Sequence, residues 1–256
     1  MNKILKFFAK LFGIIIVPKW NECTKSSNWA GSNAQQRMMN ILSPHMPDET
    51  FKARLSWMKS RGVNTAHVIL VNKGDGEFSG YSPYGSNFSW NLDKNYCKIM
   101  GDRIKKLYKE DLGIVLWLIS DDSNDWTKEL IKNPGKFCKD IKDLGWFDYA
   151  STVVAGLELG EYYNGNQVAS LISSIRANYK GKVGTHENSG KTAFAGLGDI
   201  VFYQINPTTN QTVVANEVKK ALGTGKPVNF FESFRCENRQ NCETAFKNGA
   251  FAVGNY

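Results

Sequence analysis

The chain has 256 residues, of which 42% are hydrophobic and 22% are charged. This length and composition are typical of one globular domain, and they exclude a collagen-like repeat, a coiled coil and global disorder. The formal net charge is +8, but half of this excess lies in residues 1–25, which hold five lysines and one glutamate. Because nucleic-acid binders usually concentrate basic residues on one folded surface, we expect no nucleic-acid partner.

Residues 1–35 form a basic amphipathic lead-in, which we separate from a single main domain over residues 36–256. A helix is predicted over residues 3–16 because apolar side chains recur there at helical spacing: Ile4, Phe8, Leu11 and Ile15. Such a helix could pack on the main domain, lie on a membrane surface, bind a protein partner or belong to a secretion signal. The sequence leaves these alternatives open.

From Gln36 onward, short apolar runs alternate with segments of helical periodicity, as in βα units around a parallel sheet. The apolar runs predict eight strands, at 37–42, 65–71, 114–119, 151–158, 182–186, 199–204, 227–232 and 249–254. The clearest helices are predicted at 48–61, 95–110, 166–179 and 211–222. The fold class is therefore α/β, and eight strands favour a (β/α)8 TIM barrel over a doubly wound sheet, since no glycine-rich phosphate loop follows an early strand. No helix follows the eighth strand, and the N-terminal helix could cover that flank.

Carboxylates stand where two of these strands end, and a TIM barrel carries its active site at the carboxyl ends of its strands. Glu232 closes the seventh predicted strand, and Glu158 and Glu161 lie at the fourth, in GLELGEYY. A carboxylate that follows an apolar run is costly to bury without a function. Two carboxylates across a cleft can act as acid/base and nucleophile in glycoside hydrolysis. For Glu158 and Glu161, a solvated loop position or an ion pair is the alternative.

Candidates for substrate binding lie on or after the other predicted strands: Asn72, Trp117, Asp121, His186, Glu187, Tyr203 and Gln204. Structural roles remain open for several of them, because Asp121 could cap a helix and an aromatic residue could serve core packing. The sequence holds no repeated metal-ligand set, dinucleotide fingerprint or catalytic serine motif. We therefore expect no metal and no cofactor.

Three segments resemble motifs of the clan of retaining TIM-barrel glycoside hydrolases: GLELGEYY on the fourth strand, KPVNFFES on the seventh and GAFAVGNY on the eighth. The resemblance implies that Glu161 is the acid/base, Glu232 the nucleophile and Tyr203 a hydrogen-bond partner of the nucleophile. It implies a glycosidase that cleaves a polysaccharide or a cell-surface glycan, at an extracellular, cell-surface or virion location rather than in the cytoplasm.

A catalytically degenerate barrel is the alternative, acting as a glycan-binding or structural module in a virion or surface assembly. Two departures from the clan favour it. Gly160 stands before Glu161 where the clan has asparagine, and Tyr256 ends the eighth-strand segment where the clan presents a tryptophan.

Overall fold

The computed structural model describes residues 40–60, 65–121, 124–206, 208, 210–234, 239–249 and 252–255. Within these ranges, only the backbone is described for residues 231–234, 239, 242, 246 and 252–255. The lead-in over residues 1–35, with its predicted helix, lies outside the described residues.

The described residues form strands and helices in alternation along the chain. The strands are β1 (Thr65–Val71), β2 (Gly113–Ile119), β3 (Thr152–Val154), β4 (Lys182–Glu187), β5 (Ile200–Tyr203), β6 (Val228–Phe234) and β7 (Ala252–Asn255). The helices are α1 (Asp48–Ser60), α2 (Lys94–Lys109), α3 (Asp125–Lys132), α4 (Pro134–Asp143), α5 (Gly165–Asn178), α6 (Gln211–Leu222) and α7 (Arg239–Lys247). Short 3-10 turns lie at Phe147–Tyr149, Leu159–Glu161 and Ala195–Leu197.

Four helices begin directly after an aspartate or asparagine whose side chain accepts backbone N–H groups of the first turn. These residues are Asp93 before α2, Asn124 before α3, Asn164 before α5 and Asn210 before α6. An N-terminal cap of this kind satisfies donors that have no partner inside the helix. The loop that follows each of β1, β2, β3 and β5 therefore ends at a defined position.

The seven strands pair in chain order, and every pairing is parallel. The sheet is curled, because side chains of distant strands meet on one face. The ring centroid of Phe202 on β5 lies 5.2 Å from that of Trp117 on β2 and 6.0 Å from that of His67 on β1. In a flat sheet β1 and β5 would lie about 19 Å apart, at about 4.8 Å per strand.

This inner face encloses an apolar core of residues from β1, β2, β3 and β5 and from the segment after β3: Ile69, Val115, Trp117, Val154, Leu157, Ile200 and Phe202. The opposite face packs against the helices, as where Leu116 and Leu118 join a cluster with Ile104 and Leu130. The α/β class with a parallel sheet is therefore confirmed. Among the described residues, no helix is both long enough and apolar enough to cross a membrane.

The first predicted strand, at 37–42, is wrong over the part that the structure describes. Residues 40–42 form a turn, in which the Ser43 amide donates to the Asn40 carbonyl over 2.9 Å. The buried Arg103 guanidinium of α2 donates to the carbonyls of Ile41, Ser43 and Met46, so these groups do not pair with a strand. The described residues thus form a seven-stranded curled sheet rather than a complete eight-stranded barrel.

Candidate active site

Three polar residues meet at the carboxyl ends of β2, β3 and β4. Asp121 follows β2, Glu158 follows β3, and His186 lies near the end of β4. The Glu158 and Asp121 side chains are joined by a hydrogen bond, and the Glu158 backbone amide donates to Nδ1 of His186 over 2.9 Å. The curled sheet therefore gathers these groups at the edge where parallel α/β proteins bind their ligands.

Glu158 lies at a sharp bend in the chain. The strand β3 is shorter than predicted, and the chain leaves it through the buried Leu157, whose amide donates to the Ile119 carbonyl over 3.1 Å. Glu158 itself has φ 42° and ψ 28°, the left-handed conformation that residues with a β-carbon seldom adopt. The 3-10 turn Leu159–Glu161 follows at once. Strained backbone of this kind clusters at functional sites.

The surroundings of Glu158 favour a protonated carboxyl group. Burial and the hydrogen bond to Asp121 raise the pKa of Glu158 to about 8, the negative charges of Asp121 and Glu161 act in the same direction, and Lys191 opposes them. The negative charge of Asp121 also raises the pKa of Tyr162, to about 12. A carboxyl group that keeps its proton near neutral pH is suited to act as a general acid.

Glu161 lies in a different environment, three residues further along the chain. It is exposed, and its Oε1 accepts a hydrogen bond from Nδ2 of Asn188 over 2.7 Å. The two glutamates of GLELGEYY therefore differ in burial and in the groups that contact them. Tyr162 and Lys191 were not among the sequence candidates, although Tyr162 directly follows Glu161.

Glu232 lies in β6 and is described by its backbone only. The pairing of β6 with β7 shifts register between Phe230 and Phe234, the stretch that contains Glu232. Such irregularities often occur next to active sites, where they redirect a side chain. The catalytic role of Glu232 stays a prediction.

Asn72 and Trp117 make buried contacts inside the protein, and their roles in substrate binding stay predictions. Asn72 is fully buried, and its side-chain Nδ2 donates to Asn40 Oδ1 and to the Asp75 carbonyl, each over 2.7 Å. Its Oδ1 accepts from the Asp75 amide over 2.8 Å, so the whole amide group ties the loop after β1. Trp117 is fully buried inside the curled sheet, where its Nε1 donates to Nδ1 of His67 over 3.1 Å.

Glu187 and Tyr203 point away from the inner face, because side chains alternate along a strand and their neighbours His186 and Phe202 contact Trp117. The Glu187 carboxylate accepts the Phe194 amide, and burial raises its pKa. The Tyr203 hydroxyl donates to Glu217 over 2.5 Å and accepts from the Gly190 amide over 2.8 Å. Both residues brace the segment after β4.

Three buried oxygen atoms at this edge of the sheet have no hydrogen-bond partner within the part of the chain that the structure describes: Asp121 Oδ1, Asn188 Oδ1 and Gln204 Oε1. They follow β2, β4 and β5. The described residues contain no group of three or more histidine, cysteine, aspartate or glutamate side chains that could hold a metal ion. Of the three, Asp121 is the residue whose side chain contacts Glu158.

The curled parallel sheet carries the carboxyl groups of Glu158 and Asp121 at the C-terminal ends of its strands. These features define a barrel-like α/β protein with an acidic site. No family model and no curated protein matches the sequence. The fold is similar to a protein of Bacteroides vulgatus named provisionally as a glycoside hydrolase (15% identity, 82% of this chain and 48% of that chain, TM-score 0.65).

Two further solved structures show the same likeness. One is an exo-β-1,4-mannosidase from an Opitutaceae bacterium (13% identity, 88% of this chain and 50% of that chain, TM-score 0.63). The other is a glycoside hydrolase of family 5 from Bacteroides vulgatus (15% identity, 84% of this chain and 56% of that chain, TM-score 0.60). The chain spans about half the length of these proteins. At these identities the likeness concerns the fold, so the chain has a glycoside hydrolase-like α/β fold.

Proposed function

We propose that this protein is a glycosidase of the retaining type, with Glu158 as the general acid/base and Glu232 as the nucleophile. The proposal moves the acid/base role from Glu161, the sequence-based choice, to Glu158. The observation that carries it is the environment of Glu158, which lies half-buried against Asp121 with a pKa of about 8. Glu161 is exposed to solvent and hydrogen-bonded to an amide.

The reaction would proceed in two steps. Glu158 gives its proton to the glycosidic oxygen while the Glu232 carboxylate attacks the anomeric carbon, which forms a glycosyl ester and releases the leaving alcohol. The Glu158 carboxylate then takes a proton from water as the water oxygen attacks the anomeric carbon and frees Glu232. This chemistry requires the two carboxyl groups to lie about 5–5.5 Å apart.

The other polar groups of the site support a sugar as the substrate. The buried acceptors on Asp121, Asn188 and Gln204 match the hydroxyl donors of a sugar ring. Tyr162 is 42% exposed beside Glu161 and offers an aromatic face. We propose β-1,4-linked mannosides as the first substrates to test, because one of the similar structures is an exo-β-1,4-mannosidase.

The test compares Glu158→Gln, Glu161→Gln and Glu232→Gln on mannobiose and on dinitrophenyl β-mannoside, whose leaving group needs little protonation. Glu232→Gln should abolish turnover of both substrates. Glu158→Gln should slow mannobiose about 10²–10⁴-fold, the usual contribution of general acid catalysis, and slow the first step on the dinitrophenyl substrate far less. Glu161→Gln is the matched control, and we expect it to stay close to wild type on both.

Two results would contradict the assignment. If Glu161→Gln and not Glu158→Gln shows the dependence on the leaving group, then Glu161 is the acid. If the wild-type protein binds glycans but cleaves none of a broad panel, the protein is a glycan-binding module and not an enzyme.

A further inference from the structure

His186 makes a contact to Glu158 that sugar binding does not explain. Its Nδ1 accepts the backbone N–H of Glu158 over 2.9 Å, and Glu158 is the residue with φ 42°. We propose that His186 is a positioning residue, whose Nδ1 holds Glu158 in the left-handed conformation that presents its carboxyl group to Asp121. This inference rests on the proposed role of Glu158 as the general acid.

The conformation of Glu158 needs such a support. A left-handed backbone at a residue with a β-carbon persists only where surrounding contacts impose it. A buried amide without an acceptor is also unfavourable, so the Nδ1 acceptor stabilises this bend specifically. Rotation to an ordinary φ would change the direction of the Cα–Cβ bond and move the carboxyl group away from Asp121.

The His186 ring is itself held in place. It is 5% exposed and lies edge-to-face on Trp117, with 5.4 Å between the ring centroids. Trp117 is fixed in turn by its hydrogen bond to His67 and by Phe202. The inner core of the sheet therefore determines where Nδ1 lies.

His186 also remains an acceptor at the pH at which Glu158 would work. Burial lowers the pKa of His186 to about 3, so the ring is neutral and its proton lies on Nε2 when Nδ1 accepts. Glu158 holds its proton below a pH of about 8. Between about pH 3 and pH 8, therefore, His186 is neutral and can accept the amide hydrogen bond while Glu158 keeps its proton.

The test uses His186→Asn, whose Oδ1 replaces Nδ1 at the same distance from the backbone, and His186→Leu, which has no acceptor. His186→Gln, whose acceptor lies one bond further out, serves as a second variant without a correctly placed acceptor. His45→Leu, which removes an exposed histidine bound to the Gly80 carbonyl, is the control for loss of an imidazole. Thermal unfolding of each variant is compared with wild type.

We expect His186→Leu and His186→Gln to lower kcat on mannobiose about 10²-fold, as a displacement of about 1 Å can do, with little change in KM. His186→Asn should restore most of the loss. In the Glu158→Gln background the same substitutions should have no further effect, because His186 acts through Glu158. The pKa of the Glu158 carboxyl, followed by ¹³C NMR, should fall in His186→Leu and stay near the wild-type value in His186→Asn.

Three results would overturn the inference. They are an equal loss of kcat in the wild-type and Glu158→Gln backgrounds, no recovery of kcat in His186→Asn, or an unchanged Glu158 pKa in His186→Leu. If His186→Leu does not fold, the comparison of His186→Asn with His186→Gln decides in the same way. Failure of the proposed function can be told apart from failure of this inference. If Glu158 is not the general acid, Glu158→Gln by itself will slow mannobiose no more than dinitrophenyl β-mannoside. The NMR titration still reports on the positioning contact in that case.

Discussion

Replacement of Asp121 by asparagine tests most directly what raises the pKa of Glu158. Burial is the largest cause of the raised pKa of Glu158, and the Asp121 hydrogen bond and negative charge come next. The Asp121→Asn substitution removes the charge, and its amide Nδ2 can donate to an ionised Glu158. Both changes favour the ionised form, so the pKa of Glu158 should fall.

The remaining groups around Glu158 do not replace Asp121. Glu161 still raises the pKa of Glu158 and Lys191 still lowers it. His186 stays neutral because burial holds its pKa at about 3. Tyr162 stays neutral too, because even without the charge of Asp121 a tyrosine has a pKa of about 10. Burial persists in the variant, so the pKa of Glu158 should remain above that of a free glutamate.

The expected size of the effect follows from the wild-type pKa of about 8. The protonated fraction of Glu158 is then about 0.9 at pH 7, about 0.5 at pH 8 and about 0.1 at pH 9. The value of kcat/KM on mannobiose should therefore fall about fivefold between pH 8 and pH 9, and about tenfold for each further pH unit. In Asp121→Asn the midpoint of this fall should lie at least about one pH unit lower. At pH 8 the variant should then be about fivefold slower for this reason alone.

The assay is the pH profile of kcat/KM, which reports ionisations of the free enzyme. Asp125→Asn is the matched control, because Asp125 lies four residues away, pairs with Lys73 and is exposed. It loses the same charge without contact to Glu158. An alkaline midpoint that is the same in wild type and Asp121→Asn, or one that moves equally in Asp125→Asn, would refute the proposed coupling.

Two further predictions concern buried polar side chains. Asn72→Ala removes three hydrogen bonds of a fully buried amide. The free energy of unfolding in urea should fall by about 2 kcal/mol while KM stays within about twofold; a raised KM at unchanged stability would restore a substrate role. His67 has a pKa lowered to about 3 by burial, so below pH 6.5 its unfolded form binds a proton that the folded form rejects, and stability falls as the pH drops. Between pH 7 and pH 5 the free energy of unfolding of His67→Asn should fall by about 2 kcal/mol less than that of the wild type. An equal fall in the two proteins would contradict this account.

Local sequence patterns determined most of the secondary structure. The apolar runs predicted seven strands that the structure contains, and the helix predicted over 211–222 is α6 at Gln211–Leu222. Such elements can be predicted from the sequence because periodicity and helix caps are properties of a few neighbouring residues. The turn at residues 40–42 differs, since the apolar run there is held by Arg103, about 60 residues further along the chain.

The sequence also predicted carboxylates at the ends of strands, and only the tertiary structure distinguished Glu158 from Glu161. Glu158 and Glu161 are three residues apart and chemically identical. The groups that make their environments different come from distant parts of the chain, after β2 and in β4. Only the structure shows which face of the sheet the Tyr203 and Glu187 side chains lie on, because neighbouring positions on a strand face opposite sides of the sheet. A carboxyl group acquires an unusual pKa from burial and from charges a few ångströms away, and only the folded chain brings Asp121 and His186 that close to Glu158.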